Sequence, residues 1–315
     1  MKKTMILLLA AASLAACTKT ETEAPDIAPV PDYSAPIALS AGIDITADSK
    51  APVTGTVFPA NTTNVFRLTA YAGSGAPTNW TTAYFADQQV NSGASSAISL
   101  ATAQYYPANG DKLYFYAYAP AATSVTAGTS SAAPIANYTI DGSKDIMAAQ
   151  VTSGIAKAAT GTQTQPALAF THKLKQVSFK VIADASFETG VKVTSIQIKE
   201  AKTSAKLAVN TGNLTFDATT GTLTAYSNAT GTTIGTTLSG VIGSPVMFEP
   251  GTKFKVGVVA GGVTYTDVEV TLSGTNAGNA GVSHVVTLTF KRNQIVPTAG
   301  ITDWTKGTDA GVDIK

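Results

Sequence analysis

Few side chains in this sequence of 315 residues are of a kind that does chemistry, and their spacing limits what they can do. The two histidines, His172 and His284, lie far apart in sequence, and neither has a second ligand at an H-x-H or H-E-x-x-H spacing. Each is read as a structural histidine satisfied within a strand. The nearest approach to a nucleophile elbow, Gly281-Val282-Ser283-His284-Val285, lacks its last glycine and falls in a strand pattern. Asp141 and Asp145 could share a cation across Asp141-Gly142-Ser143-Lys144-Asp145, but the loop offers few oxygens and an Asp-Gly turn explains it equally. Gly73-Ser74-Gly75 and Gly261-Gly262 open no helix and read as turns rather than phosphate cradles. No paired carboxylates are marked for glycoside hydrolysis, so no enzyme activity and no cofactor or metal is expected. Trp80, Trp304 and the run Tyr105, Tyr106, Tyr114, Phe115, Tyr116 could stack on sugar rings or serve a core.

The one cysteine, Cys17, is different because of what precedes it. Lys2 and Lys3, the apolar run Met5 to Ala12, and Leu14-Ala15-Ala16 before Cys17 follow the order of a secretory signal with its cleavage site. The apolar run is too short to span a bilayer as a helix. A lone thiol directly after the cut site matches a bacterial lipobox, so Cys17 is read as a lipid attachment point and residues 1–16 as the signal peptide. Residues 17–35, rich in Thr, Pro and acidic side chains, then form a disordered tether. The lipid would hold the mature chain at a membrane surface.

The elements that must position everything else are strands. Ala, Thr, Gly, Ser and Val dominate, and no long stretch has a helical period. Leu113, Phe115 and Ala117 alternate with Tyr114, Tyr116 and Tyr118. Val177, Phe179 and Val181 alternate with Ser178 and Lys180, and Phe254, Val256 and Val258 with Lys253 and Lys255. Val268, Val270 and Leu272 repeat the pattern, as do Val286, Leu288 and Phe290. Each predicts an antiparallel strand with one face in a core. With turns at Asn109-Gly110-Asp111, Asp141-Gly142 and Glu249-Pro250-Gly251, the fold class is all-β, arranged as sandwiches. About 280 residues follow the leader and tether, and the small polar stretch 154–166 suggests a boundary, giving an N-terminal domain at 36–164 and a C-terminal one at 165–315. A net charge of +1 with 13% charged residues offers no field for nucleic acid.

Several segments together resemble the fimbrillin (Mfa-like) family, the type V pilins of Bacteroidales. They are Pro36-Ile37-Ala38-Leu39 with Ser49 to Val53; Tyr106-Pro107 with Leu113 to Pro120; Asp145-Ile146-Met147; Leu168 to Leu174; and Ile301-Thr302-Asp303-Trp304. The resemblance implies two tandem transthyretin-like β-sandwich domains and a fimbrial subunit, supporting adhesion, that assembles by protease-triggered strand exchange. In that scheme the first strand, residues 37–46 with Ile37, Leu39, Ala41, Ile43 and Ile45 on one face, leaves after a cut between Lys50 and Ala51. Arg67 is a poorer site because it sits in a strand pattern. The vacated groove then takes a donor strand from another subunit, for which the tail 301–315 is the candidate through Ile301, Trp304, Val312 and Ile314. The partners implied are other fimbrial subunits, a trypsin-like or Arg/Lys-specific protease, and the outer membrane through the lipid on Cys17. The competing reading is a surface glycan-binding lipoprotein of a nutrient-uptake system, with Trp80 or Trp304 as sugar platform.

Overall fold

The structure is a computed structural model that describes residues 30–43, 57–292 and 294–301. Every regular element among them is a β-strand. A seven-stranded sheet has the order Ser40–Ile43, Ala167–His172, Met147–Ile155, Lys112–Ala119, Phe66–Gly73, Phe85–Ser92, Ile98–Leu100. Two four-stranded sheets come from later segments. One runs Ile242–Phe248, Lys175–Ala183, Ser283–Lys291, Gln294–Ile301, and the other Thr220–Thr233, Lys192–Lys202, Lys253–Ala260, Val263–Thr271. A further four-stranded sheet, Asn213–Phe216, Ser204–Ala208, Ile135–Thr139, Ser124–Thr126, joins early and late parts of the chain, and Pro31–Pro36 pairs with Tyr105–Pro107.

The apolar alternation holds where period 2 is strict: Val177, Phe179, Val181, Val256, Val258, Val286, Leu288 and Phe290 are all buried. Three expectations change. The 175–183 strand is antiparallel to 242–248 but parallel to 283–291, with Val177 opposite His284 and Ala183 opposite Phe290. More than a hundred residues separate these partners, so long crossovers replace a hairpin.

The strand 112–119 is buried on both faces rather than one. Leu113, Phe115, Ala117 and Ala119 enter one hydrophobic cluster, while Tyr114, Tyr116 and Tyr118 enter the other with Ala136, Tyr138, Ala205 and Leu207. The layer that covers the tyrosines is the sheet containing the hairpin 204–216. That hairpin comes so close that a Cβ on Gly212, whose φ is +67°, would lie 2.5 Å from Gln150 Nε2. Tyrosine tolerates this position because its ring fills the core while its hydroxyl finds a partner. Tyr118 donates to the Asp87 carboxylate and Tyr138 to the Pro120 carbonyl at 2.8 Å.

The stretch 154–166, read as a domain boundary, connects two strands of the same sheet: Met147 lies opposite His172 and Ala148 opposite Thr171. The strand 167–172, expected to open the C-terminal half, therefore belongs with the early strands. The chain changes sheet at Lys173 and Leu174, where the Lys173 amide bonds to the Ile146 carbonyl at 2.8 Å. There is a second join, because Leu207 pairs with Ala136 across the expected division.

Candidate strand-exchange groove

The site is built from residues 31–43. Pro31–Pro36 runs antiparallel to Tyr105–Pro107, and the Ile37 amide continues the contact to the Gln104 carbonyl at 2.8 Å. The segment then changes partner: Ala38 N–H donates to Gln165 Oε1 at 2.9 Å and Ser40 N–H to the Pro166 carbonyl at 3.1 Å. From there Ser40–Ile43 lies parallel to 167–170, with Ala41 opposite Leu168 and Ile43 opposite Phe170.

Side-chain alternation survives the change of partner. Ala35, Ile37 and Ile43 are buried, Leu39 and Ala41 are partly buried against the same cluster, and Pro36, Ala38 and Ser40 face out. The cluster includes Phe58, Phe66 and Phe170, whose ring centroids stand 4.9 to 5.3 Å apart. An open groove of about 430 Å³ is lined by residues 40–43 and 167–169. Burying an aliphatic side chain is worth about 1.5–3 kcal/mol, so Ile37 and Ile43 with the half-covered Leu39 hold the segment by roughly 5 kcal/mol. Because 40–43 is the outermost of the seven strands, removing it bares the amides and carbonyls of 167–170 beside an emptied apolar trough.

The leading part of the segment is pinned by polar contacts. Lys157 pairs with Asp32, and this ammonium, with Ser34, holds the Asp32 carboxyl below the usual carboxylate range. Tyr33 packs edge-on against Tyr105 at 5.1 Å. The sequence pattern assigns these residues to the tether 17–35 and the first strand to 37–46. Among the described residues the paired stretches are instead 31–36 and 40–43, with 37–39 crossing between two partners. Pro31 and Pro36 conceal the first stretch in the sequence, since Pro removes ladder donors and is tolerated at edges. The signal that could have found it is Tyr33, a large aromatic out of place in a solvated spacer.

The remaining candidates sort cleanly. Arg67 lies in a central strand, opposite Tyr118 on one side and Gln89 on the other, and its Nη1 donates to the Asp87 carbonyl at 3.0 Å. A backbone paired on both sides is a poor fit to a protease cleft, which argues against Arg67 as the processing site in the folded protein. Ile301 ends the strand Gln294–Ile301 opposite His284, so its backbone completes its own sheet. Cys17, Lys50, Ala51, Trp304, Val312 and Ile314 lie outside the described residues.

Trp80 is 8% exposed and packs edge-on against Tyr71 and Tyr116 at 5.0 and 5.4 Å, so it offers no platform to a sugar. His172 Nδ1 lies 2.9 Å from the Asp145 carboxylate, and His284 Nε2 accepts the Gly278 amide at 3.1 Å. Burial and the neighbouring Lys175 lower the His284 pKa to about 4, so it is neutral at neutral pH. Asp141 caps its turn by accepting from Ser143 while Asp145 faces His172, so the two carboxylates serve separate partners. Among the described residues no cluster of three or more His, Cys, Asp or Glu could hold a metal ion. A feature with no sequence signal is Lys175, 1% exposed, which donates to the Gly251 carbonyl at 2.7 Å and sits over the Phe248 and Phe254 rings. Burial lowers its pKa to about 8.

The same architecture occurs in solved structures. A candidate cell adhesion protein of Bacteroides uniformis superposes with a TM-score of 0.57 at 16% identity, covering 87% of this chain and 100% of its own. A fimbrial protein of Bacteroides vulgatus gives 0.57 at 15% identity, covering 86% and 99%. A candidate cell adhesion protein of Bacteroides ovatus gives 0.53 at 14%, covering 91% and 100%. At such identities the likeness speaks for the fold alone. No curated protein matches the sequence. The profile of the fimbrillin-like family matches residues 50–304, most of the chain. The chain therefore belongs to the fimbrillin-like family.

Proposed function

We propose that this protein is a structural fimbrial subunit, exported as a lipoprotein acylated on Cys17 and assembled by protease-triggered donor-strand exchange. Family membership supports the coarser statement, a fimbrial subunit or adhesin at the cell surface. The observation that carries the finer reading is the segment 31–43: it lies at the rim of its sheet, fills the core through alternate side chains, and precedes Lys50 in the sequence. Cleavage between Lys50 and Ala51 by a trypsin-like or Arg/Lys-specific protease severs the segment covalently while roughly 5 kcal/mol of apolar contact still retains it. Release then proceeds by replacement. A strand from another subunit gains main-chain hydrogen bonds and apolar burial as the old one leaves. With Ile301 in its own sheet, the donor is residues 302–315, through Trp304, Val312 and Ile314. Donation to a different copy repeats without closing, so it builds a filament. The lipid departs with the discarded strand, and the protein works without catalysis.

Lys50→Ala tests this directly. In cells expressing the full chain, it is expected to leave the subunit unprocessed and to deplete SDS-resistant ladders, while Lys50→Arg keeps both. Unchanged ladders from Lys50→Ala would remove the proteolytic trigger from the account.

A further inference from the structure

Residues 41–45 read Ala-Gly-Ile-Asp-Ile, and residues 310–314 read Ala-Gly-Val-Asp-Ile. They differ only at Ile43 against Val312. The first copy begins in the edge strand, where Ala41, Gly42 and Ile43 lie parallel to 168–170 and Ile43 is 3% exposed. We infer that in the polymer residues 310–312 of one subunit occupy the place of residues 41–43 in its neighbour, in the same direction and the same register. This inference rests on the donor-strand reading above and adds to it the pairing of each residue: Ala310 opposite Leu168, Gly311 opposite Ala169, and Val312 opposite Phe170.

The chemistry of the groove selects this register over its neighbours. A slip of one residue turns Gly311 and Asp313 toward the core and Val312 and Ile314 outward, since strand faces alternate with a period of exactly two residues. That slip would bury an unpaired carboxylate. A slip of two in one direction puts Ala310 where Ile43 now sits and leaves a cavity. In the other it puts Val312 at the partly buried Ala41 position and crowds it. In the matched register the sole change is Ile to Val, the loss of one methylene. The direction follows too, because the order Ala-Gly-Val-Asp-Ile reproduces the original strand only when it runs parallel to 167–170.

The single methylene has a consequence for order of events. The resident strand fills the groove slightly better than the donor and, before cleavage, is held at high effective concentration by its own chain. The tail therefore displaces it only after the cut.

The test uses full-length chains carrying paired cysteines. Ala169 is exposed and lies opposite Gly42, so its Cα should stand about 5 Å from that of Gly311 in the neighbour, within the range a disulfide spans. Ala169→Cys with Gly311→Cys is expected to give ladders that survive heating and collapse on reduction. Ala169→Cys with Asp313→Cys, and each single variant, should give none. Ladders from the Asp313→Cys pair instead, or tail-dependent polymers that cross-link in neither pair, would overturn the register and leave the donor role standing. A disulfide within one chain would show the tail closing on its own subunit and would overturn the choice of a second copy. Polymers that persist without residues 310–314 would overturn both this inference and the donor-strand reading.

Discussion

Deleting residues 312–315 is expected to abolish polymerisation while leaving the folded subunit intact. The last strand described, Gln294–Ile301, is paired along its length with Ser283–Lys291, and its Ile295, Val296 and Ala299 are buried, so the described strands of this sheet hold together through residues the deletion leaves in place. The deleted residues include Val312 and Ile314, the apolar side chains that the proposed groove must receive. A donor without them keeps main-chain hydrogen bonds but loses the burial of two aliphatic side chains, worth about 1.5–3 kcal/mol each. That is a loss of at least about a hundredfold in exchange equilibrium by the usual conversion of free energy to binding constant. SDS-resistant ladders should disappear, while thermal unfolding and processing at Lys50 stay as in the unaltered chain. Fibres of normal length from the truncated protein would remove the donor role from this tail.

The second large effect concerns the floor of the groove. Phe170→Ala is expected to destabilise the protein by about 3–5 kcal/mol, the usual cost of emptying a buried aromatic site. Phe170 has no exposed surface, packs against Phe58 and Phe66, and lies opposite Ile43. Truncation therefore removes the wall that the resident strand presses against and that its replacement would meet in the proposed exchange. Set against a typical total of about 5–15 kcal/mol, this is a large fraction of the stability. Urea unfolding should show a lower midpoint, and Ala169→Ser, on the exposed side of the same strand, should leave it almost unchanged. A shift below about 1 kcal/mol for Phe170→Ala would mean that the groove collapses around the vacancy and that its shape does not depend on this ring.

What was legible in the sequence and what was not divides along physical lines. Strands with strict alternation and one dry face, such as those of Val256 and Val258 or Leu288 and Phe290, announce themselves because period 2 is a local property. Their partners do not, since pairing Val177 with His284 in parallel depends on contacts more than a hundred residues apart. The run Tyr114, Tyr116, Tyr118 looked like a wet face because tyrosine suits either surroundings. The hairpin that buries it, 204–216, comes from a distant part of the chain. The same distance defeats a boundary drawn at 164 from local composition. At the candidate groove, the alternation of Ile37, Leu39, Ala41 and Ile43 was visible. The pairing of 31–36 with Tyr105–Pro107 was hidden behind two prolines and an acidic residue whose partner, Lys157, is also remote in sequence. Lys175 carried no signal at all. A lysine between Leu174 and Gln176 reads as exposed until Phe248, Phe254 and the Gly251 carbonyl are brought around it.

The central claim is that an acylated precursor exchanges its lipid-bearing strand for a strand of its neighbour. The N-terminal sequence and intact mass of subunits recovered from assembled surface material test it most directly. Chains that begin at Ala51 and carry no acyl groups are the expected result. Polymerised subunits beginning at an acylated Cys17 would contradict it.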